Sequence, residues 1–178
     1  MGHASNDFLP LQIAVLTVSD TRTAQTDTSG QYLADAVTEA GHILAARALL
    51  KDDPYKIRAQ VANWIADENI HAVIITGGTG FTDRDSTPEA VACLFDKTIE
   101  GFGELFRQVS YSEIGTSTIQ SRALAGLSNH TLVCCLPGST NACRTGWEKI
   151  IKEQLDSRQG PCNFVAHLRQ VPACESRG

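Results

Sequence analysis

Thr76-Gly77-Gly78-Thr79-Gly80 follows directly on the apolar run Ala72-Val73-Ile74-Ile75. A glycine cluster in that place suits one kind of chemistry. Without a Cβ in the way, backbone N–H groups approach an anion closely, and the carboxyl end of a buried strand faces the crevice where open parallel sheets bind ligands. A phosphate or a nucleotide meets that description, and a tight strand-to-helix turn is the plainer reading. Asp85 lies a few residues on, just ahead of the helix start Thr87-Pro88. A carboxylate beside a phosphate loop holds Mg²⁺ through one or two oxygens while phosphate and water supply the rest. Helix capping does not require Asp85, because Thr87 is the better N-cap candidate. Asp52 ends the second strand and shares its carboxyl edge with Gly77, so the two converge if those strands are neighbours; its plainer role is a turn residue before Asp53-Pro54.

Other strand exits carry small polar residues. Ser19 to Gly30 offers hydroxyls and ends in Asp27-Thr28-Ser29-Gly30 at a helix start, where Ser29 is a cap and the first-turn N–H groups attract anions. Pro137-Gly138-Ser139 closes a later strand at the same edge. Lys51, Arg84, Arg22 and Arg144 are the cations available to offset a polyphosphate; each alone reads as a solvated surface charge.

These exits need a sheet to gather them. Ile13 to Leu16 and Ala72 to Ile75 are continuous apolar runs of strand length, as strands covered on both faces require. Between them, Tyr32, Leu33, Ala36, Val37 and Ala40 recur at helical spacing up to Gly41; Ile43 to Leu50 reads as a strand; and Ile57, Val61, Trp64 and Ile65 form a second helical stripe. The order β-α-β-α-β with right-handed crossovers gives a parallel sheet between helix layers. Phe102, Leu105, Phe106 and Val109 mark a further helix, Ser128-Asn129-His130 breaks two strands into an antiparallel edge, and Cys143, Trp147, Ile150, Ile151 and Leu155 make the last helix. Residues 1–10 are expected as a flexible lead-in, 11–170 as a single domain and 171–178 as a tail.

Composition narrows the function classes. The chain has 178 residues, 42% of them apolar, and 15 Lys+Arg against 20 Asp+Glu give a net charge of −5. That is enough apolar side chain for one core, and the acidic balance argues against broad binding of nucleic acid. No apolar run is long enough for a membrane helix, and Met-Gly-His-Ala-Ser-Asn-Asp lacks a charged-then-apolar signal, so a cytoplasmic protein is expected. The six cysteines make no C-x-x-C and the five histidines no H-E-x-x-H. A Walker loop needs Gly-Lys-Ser/Thr, G-x-G-x-x-G fails at Asp83, and Gly115-Thr116-Ser117-Thr118-Ile119 lacks the last glycine of a hydrolase elbow.

Taken in order, Ile13-Ala14-Val15-Leu16-Thr17-Val18-Ser19, Asp27-Thr28-Ser29-Gly30, the Thr76–Gly80 loop with Asp85 and Thr87-Pro88-Glu89-Ala90, and Leu136-Pro137-Gly138-Ser139 resemble the molybdenum cofactor biosynthesis family of molybdopterin-binding proteins. Gly101-Phe102-Gly103-Glu104, Glu113-Ile114-Gly115-Thr116-Ser117-Thr118 and Pro161-Cys162-Asn163-Phe164 are similar to its B-type branch, and the match runs from about residue 11 to 168. The resemblance implies a three-layer α/β/α, Rossmann-like sandwich with a mostly parallel sheet, assembled as a trimer or hexamer. It also implies a pterin ligand and, in active relatives, adenylylation of molybdopterin by Mg-ATP. Gly77 to Gly80 would then cradle phosphates and Asp52 and Asp85 would hold Mg²⁺. Ser19, Asp27, Ser29, Gly30, Thr76, Ser121, Pro137, Gly138 and Ser139 would line the rest, with other enzymes of the same biosynthesis as partners. The alternative is a carrier or scaffold that binds the pterin without turning over ATP.

Overall fold

The computed structural model describes residues 5–169. Its elements in chain order are β1 (Gln12–Val18), α1 (Thr28–Glu39), β2 (Ile43–Leu50), α2 (Pro54–Ala66), β3 (Ala72–Thr76), α3 (Thr87–Ala92), β4 (Lys97–Thr98), α4 (Glu100–Ile114), β5 (Leu124–Ser128), β6 (Thr131–Leu136), α5 (Thr140–Gly146) and α6 (Lys152–Gln154). A 3₁₀ segment (Gly115–Gln120) follows α4, and a π-helical turn (Trp147–Ile151) joins α5 to α6.

Six strands form one sheet in the order β2-β1-β3-β6-β5-β4. The pairs β1·β2, β1·β3 and β3·β6 are parallel, whereas β5 and the two-residue β4 are antiparallel. Alternation along the inner strands splits the core into two clusters, one on each face. Ile13, Val15, Ala72, Ile74, Leu132 and Cys134 pack on the side of α1, α4 and α5. Ala14, Leu16, Val73, Ile75, Val133 and Cys135 face α2 and α3. Both faces are dry, which is why these strands read as unbroken apolar runs. Burial pushes the Cys134 thiol up to about 12, so it behaves as a small apolar side chain.

Local signals set the helix starts, with two departures from expectation. Asp53 caps α2 by accepting from the Tyr55 and Lys56 N–H groups, with Pro54 in its first turn. The cap of α1 is Asp27 rather than Ser29: Asp27 Oδ1 accepts from Gly30 N at 2.9 Å. Thr87 is not a cap either; it sits inside α3, and Ser86 takes the cap position without a side-chain bond. Gly41 adopts φ +88° just past α1, the left-handed stop that a glycine there favours.

Two buried histidines anchor the start of β1. His42 Nδ1 accepts from Leu11 N and His71 Nδ1 from Gln12 N, and burial lowers the His42 pKa to about 4, keeping the ring neutral and able to accept. The described part of the lead-in is held as well: Leu9 N donates to Ser157 Oγ, which donates to Asp7 O. The expected tail 171–178 and residues 1–4 lie outside the described residues. Among the described residues no helix is long and apolar enough to cross a membrane.

Candidate functional site

A cleft of about 600 Å³ opens at the carboxyl edge of β1, β3 and β6. Its wall holds Ser19, Ser29, Asp52, the whole Thr76–Gly80 loop, Asp85, Ser121 and Pro137-Gly138-Ser139, so most of the residues singled out from the sequence converge. Asp27 and Gly30 do not reach it. Asp27 is 3% exposed beneath the floor, where it caps α1, accepts from Thr17 Oγ1 at 2.8 Å and pairs with Arg47 at 3.0 Å. Gly30 is glycine because a Cβ there would run into the Asp27 carboxylate and the Thr17 hydroxyl. Their part is to shape the floor.

The loop is built on left-handed glycines, Gly77 at φ +97° and Gly78 at φ +63°. Gly77 N is committed to Leu136 O at 3.0 Å, which ties the loop to β6 and leaves the Gly78 and Thr79 N–H groups without a partner among the described residues. Thr76 Oγ1 donates to Pro137 O, linking β3 and β6 at their exits. The opposite side of the loop carries acceptors and hydroxyls. A Cβ on Gly78 would run into Thr87 Oγ1 and lie 2.5 Å from Asp52 Oδ2. The Thr87 hydroxyl is fully buried and has no hydrogen-bond partner among the described residues.

Asp52 reaches Gly78 although β2 and β3 are not neighbours, since β1 lies between them. The chain after β2 folds over the end of β1, and Asp52 Oδ1 accepts from both the N–H and the hydroxyl of Ser86. Burial holds the Asp52 carboxyl above its ordinary pKa, opposed by the Ser86 bonds and reinforced by the charges of Asp85 and Asp20. Asp85 is shifted the other way: Thr82 donates to its Oδ2 from the hydroxyl and from N–H, and these bonds hold its carboxyl low. Two carboxylates beside one loop are thus driven apart in proton affinity, as often happens at functional sites.

Of the four candidate cations, Arg22 and Arg84 line the cleft. Arg22 spans its floor, donating to Thr28 Oγ1, Ser29 Oγ and Gly138 O at 3.1–3.2 Å. Arg84 is engaged in a two-pronged pair with Asp20 at 2.9 and 3.0 Å. Lys51 is not on the wall, and Arg144 stacks over Tyr32 instead. Sequence reasoning missed Arg122. It donates to Thr79 O at 3.1 Å and Asp85 O at 3.0 Å, pairs with Glu89 and covers the Phe81 ring. It therefore clamps the loop at Thr79 and Asp85 from the chain that leads into β5. Each charge-assisted bond to a carbonyl contributes about 1.5–3 kcal/mol. Arg122→Ala should make amide exchange over 79–85 about tenfold faster or more, with β1 and β3 amides unchanged; hydrogen exchange by mass spectrometry checks this.

The chain matches the family model described as a probable molybdopterin binding domain over residues 14–157. It is 55% identical over 170 residues, 96% of this chain and all of the other, to molybdenum cofactor biosynthesis protein B of Escherichia coli (strain K12). Its fold superposes with a TM-score of 0.80 on a crystal structure of molybdenum cofactor biosynthesis protein B, at 43% identity and covering 83% of this chain and 92% of that one. The tungsten cofactor synthesizing protein MoaB from Pyrococcus furiosus superposes with a TM-score of 0.72 at 35% identity, covering 81% and 92% of the two chains.

Proposed function

The chain belongs to the molybdopterin-binding family of molybdenum cofactor biosynthesis, and from that membership we propose that its cleft binds molybdopterin and Mg-ATP and transfers the adenylyl group between them. In this reaction an oxygen of the pterin's terminal phosphate attacks the α-phosphorus of ATP, a new P–O–P link forms, and pyrophosphate leaves. The observation that carries the reading is the pairing at Gly78. Here unpartnered N–H groups and a buried, unpartnered Thr87 hydroxyl stand beside a carboxylate whose burial opposes its own charge. Polar groups without partners are costly, and a phosphate accepts from the Gly78 and Thr79 N–H groups while its counter-cation offsets the Asp52 charge; the Thr87 hydroxyl lies beneath the loop and off the cleft wall.

The side chains fit a Mg²⁺ ion of the kind that rests on few protein ligands. Among the described residues no three His, Cys, Asp or Glu side chains converge, so Asp52 and Asp85 would hold the ion together with phosphate oxygens and water. When bound, it would neutralise charge on the reacting phosphates. The protein's own residues do the rest by position: the Gly78 and Thr79 N–H groups receive phosphate oxygens, Arg22 supplies a fixed positive charge on the floor, and Arg122 keeps the loop in its receiving shape.

A carrier function is the second reading, favoured by one observation: Asp85 Oδ2 is already occupied by two Thr82 donors. Titration of the protein with molybdopterin and then Mg-ATP, with pyrophosphate recorded in the same sample, separates the two. Tight pterin binding with pyrophosphate release is the expected result. Binding without release makes the protein a carrier, and absence of pterin binding removes both readings.

A further inference from the structure

The cleft wall also holds a carboxylate to which the proposed reaction assigns nothing. Glu113, in the last turn of α4, lines the cleft together with Phe106, Ile114, Asn141 and Thr145. Its carboxylate is not loose. The Thr145 hydroxyl lies 3.0 Å from Oε1 and 2.9 Å from Oε2, and Asn141 Nδ2 donates to Oε2 at 2.9 Å. Thr145 is itself 5% exposed, so α5 fixes the carboxylate from a buried side chain. One hydroxyl proton and one amide proton occupy about half of the four acceptor positions a carboxylate offers. The rest stay available on an ordered group of the cleft wall.

On the reading of the cleft as a molybdopterin site, we propose that Glu113 reads the pyrimidine edge of the pterin, and so determines which end of the cleft takes the ring and which takes the phosphates. A pterin presents an exocyclic amino N–H next to a ring N–H, two parallel donors that a carboxylate accepts as it accepts an arginine fork. Adenine presents a donor next to an acceptor on the corresponding edge, and a carboxylate satisfies one and repels the other. The negative charge of Glu113 also disfavours a phosphate beside it, whereas the glycine loop offers the Gly78 and Thr79 N–H groups. Both effects orient the ligand the same way: ring at Glu113, phosphate at the glycine loop.

The test compares 6-hydroxymethylpterin with 6-hydroxymethyllumazine, in which a carbonyl replaces the amino group, by quenching of their own fluorescence. Wild type should bind the pterin about 10–100-fold more tightly, since the lumazine turns an acceptor towards the carboxylate. Glu113→Gln keeps an acceptor for Thr145 and should bring the two affinities within about threefold at an unchanged Tm. Retention of the preference in Glu113→Gln overturns the proposal, as does an equal loss for both rings with a lowered Tm, which would make Glu113 only a tie between helices. Wild type that binds both rings equally overturns it alone; wild type that binds neither ring removes the molybdopterin reading with it.

Discussion

Asp52→Asn should lower pyrophosphate release from Mg-ATP and molybdopterin by about 100-fold or more while leaving Tm at pH 7 unchanged or raised. The two halves of this result have one cause. Asp52 is 6% exposed, and burial raises its pKa from the ordinary value, so the fold favours its neutral form relative to the unfolded chain. The folded state therefore binds a proton more readily than the unfolded state. The stability linked to Asp52 grows as pH falls through the raised pKa and is lost at higher pH, so its charge opposes folding at neutral pH. Asparagine keeps an oxygen for the Ser86 N–H and hydroxyl and removes that charge. Transfer loses the charge that would hold the cation against the phosphates, and loss of one preorganised electrostatic group costs on the order of 100–1,000-fold. Wild-type activity should fall on the acid side at a pH above the ordinary pKa of an aspartate, and the Tm gap between variant and wild type should close as pH falls through the same interval. Transfer within tenfold of wild type would remove Asp52 from the reaction. A clear drop in Tm would make it a structural cap of the Ser86 turn.

How much of this was legible in the sequence depends on how far apart the partners lie. The inner strands were readable because both faces are buried, so Ile13 to Leu16 and Ala72 to Ile75 carry their own signal. The glycine loop was readable because its position after a strand is local information. The two-residue β4 is too short to show any period. Asp27, Thr28 and Ser29 are all good caps by type, so composition alone could not choose among them; the choice of Asp27 follows from its tie to Arg47, 20 residues away. Arg122 and Glu113 were invisible as site residues for the same reason. Arg122 meets Thr79 across 43 positions and Glu113 meets Thr145 across 32, and no local pattern encodes such a pairing. Asp52 was legible only as a candidate, because its approach to Gly78 is made by the loop over β1 and not by adjacent strands.

Gly77→Ala and Gly80→Ala should separate the loop's structural work from its chemical work, although both add one methyl group to the same turn. At Gly77 the backbone has φ +97°, and a Cβ would run into the carbonyl oxygen of Val18, which belongs to β1, paired on both sides within the sheet, and cannot move alone. The left-handed conformation costs an alanine about 1–2 kcal/mol. Overpacking against backbone adds about 1–3 kcal/mol. A loss of about 2–5 kcal/mol lowers Tm by roughly 4–20 °C in a domain of this size. At Gly80 the nearest atom to a Cβ is Asp85 Oδ2 at 2.7 Å, the end of a side chain that can swing away from Thr82. Gly80→Ala should therefore keep Tm within a few degrees of wild type and instead displace the one carboxylate that shares the loop with Asp52. If Asp85 helps hold the cation, the Mg²⁺ concentration for half-maximal pyrophosphate release rises several-fold in Gly80→Ala, and excess Mg²⁺ restores the rate. An unchanged Mg²⁺ requirement in Gly80→Ala, matched by an unchanged requirement in Asp85→Ala, would assign Asp85 to the Thr82 turn alone and leave Asp52 as the carboxylate proposed to hold the cation. A Gly77→Ala protein that melts with wild type would instead show that the loop is not anchored to β1 as the Val18 contact requires.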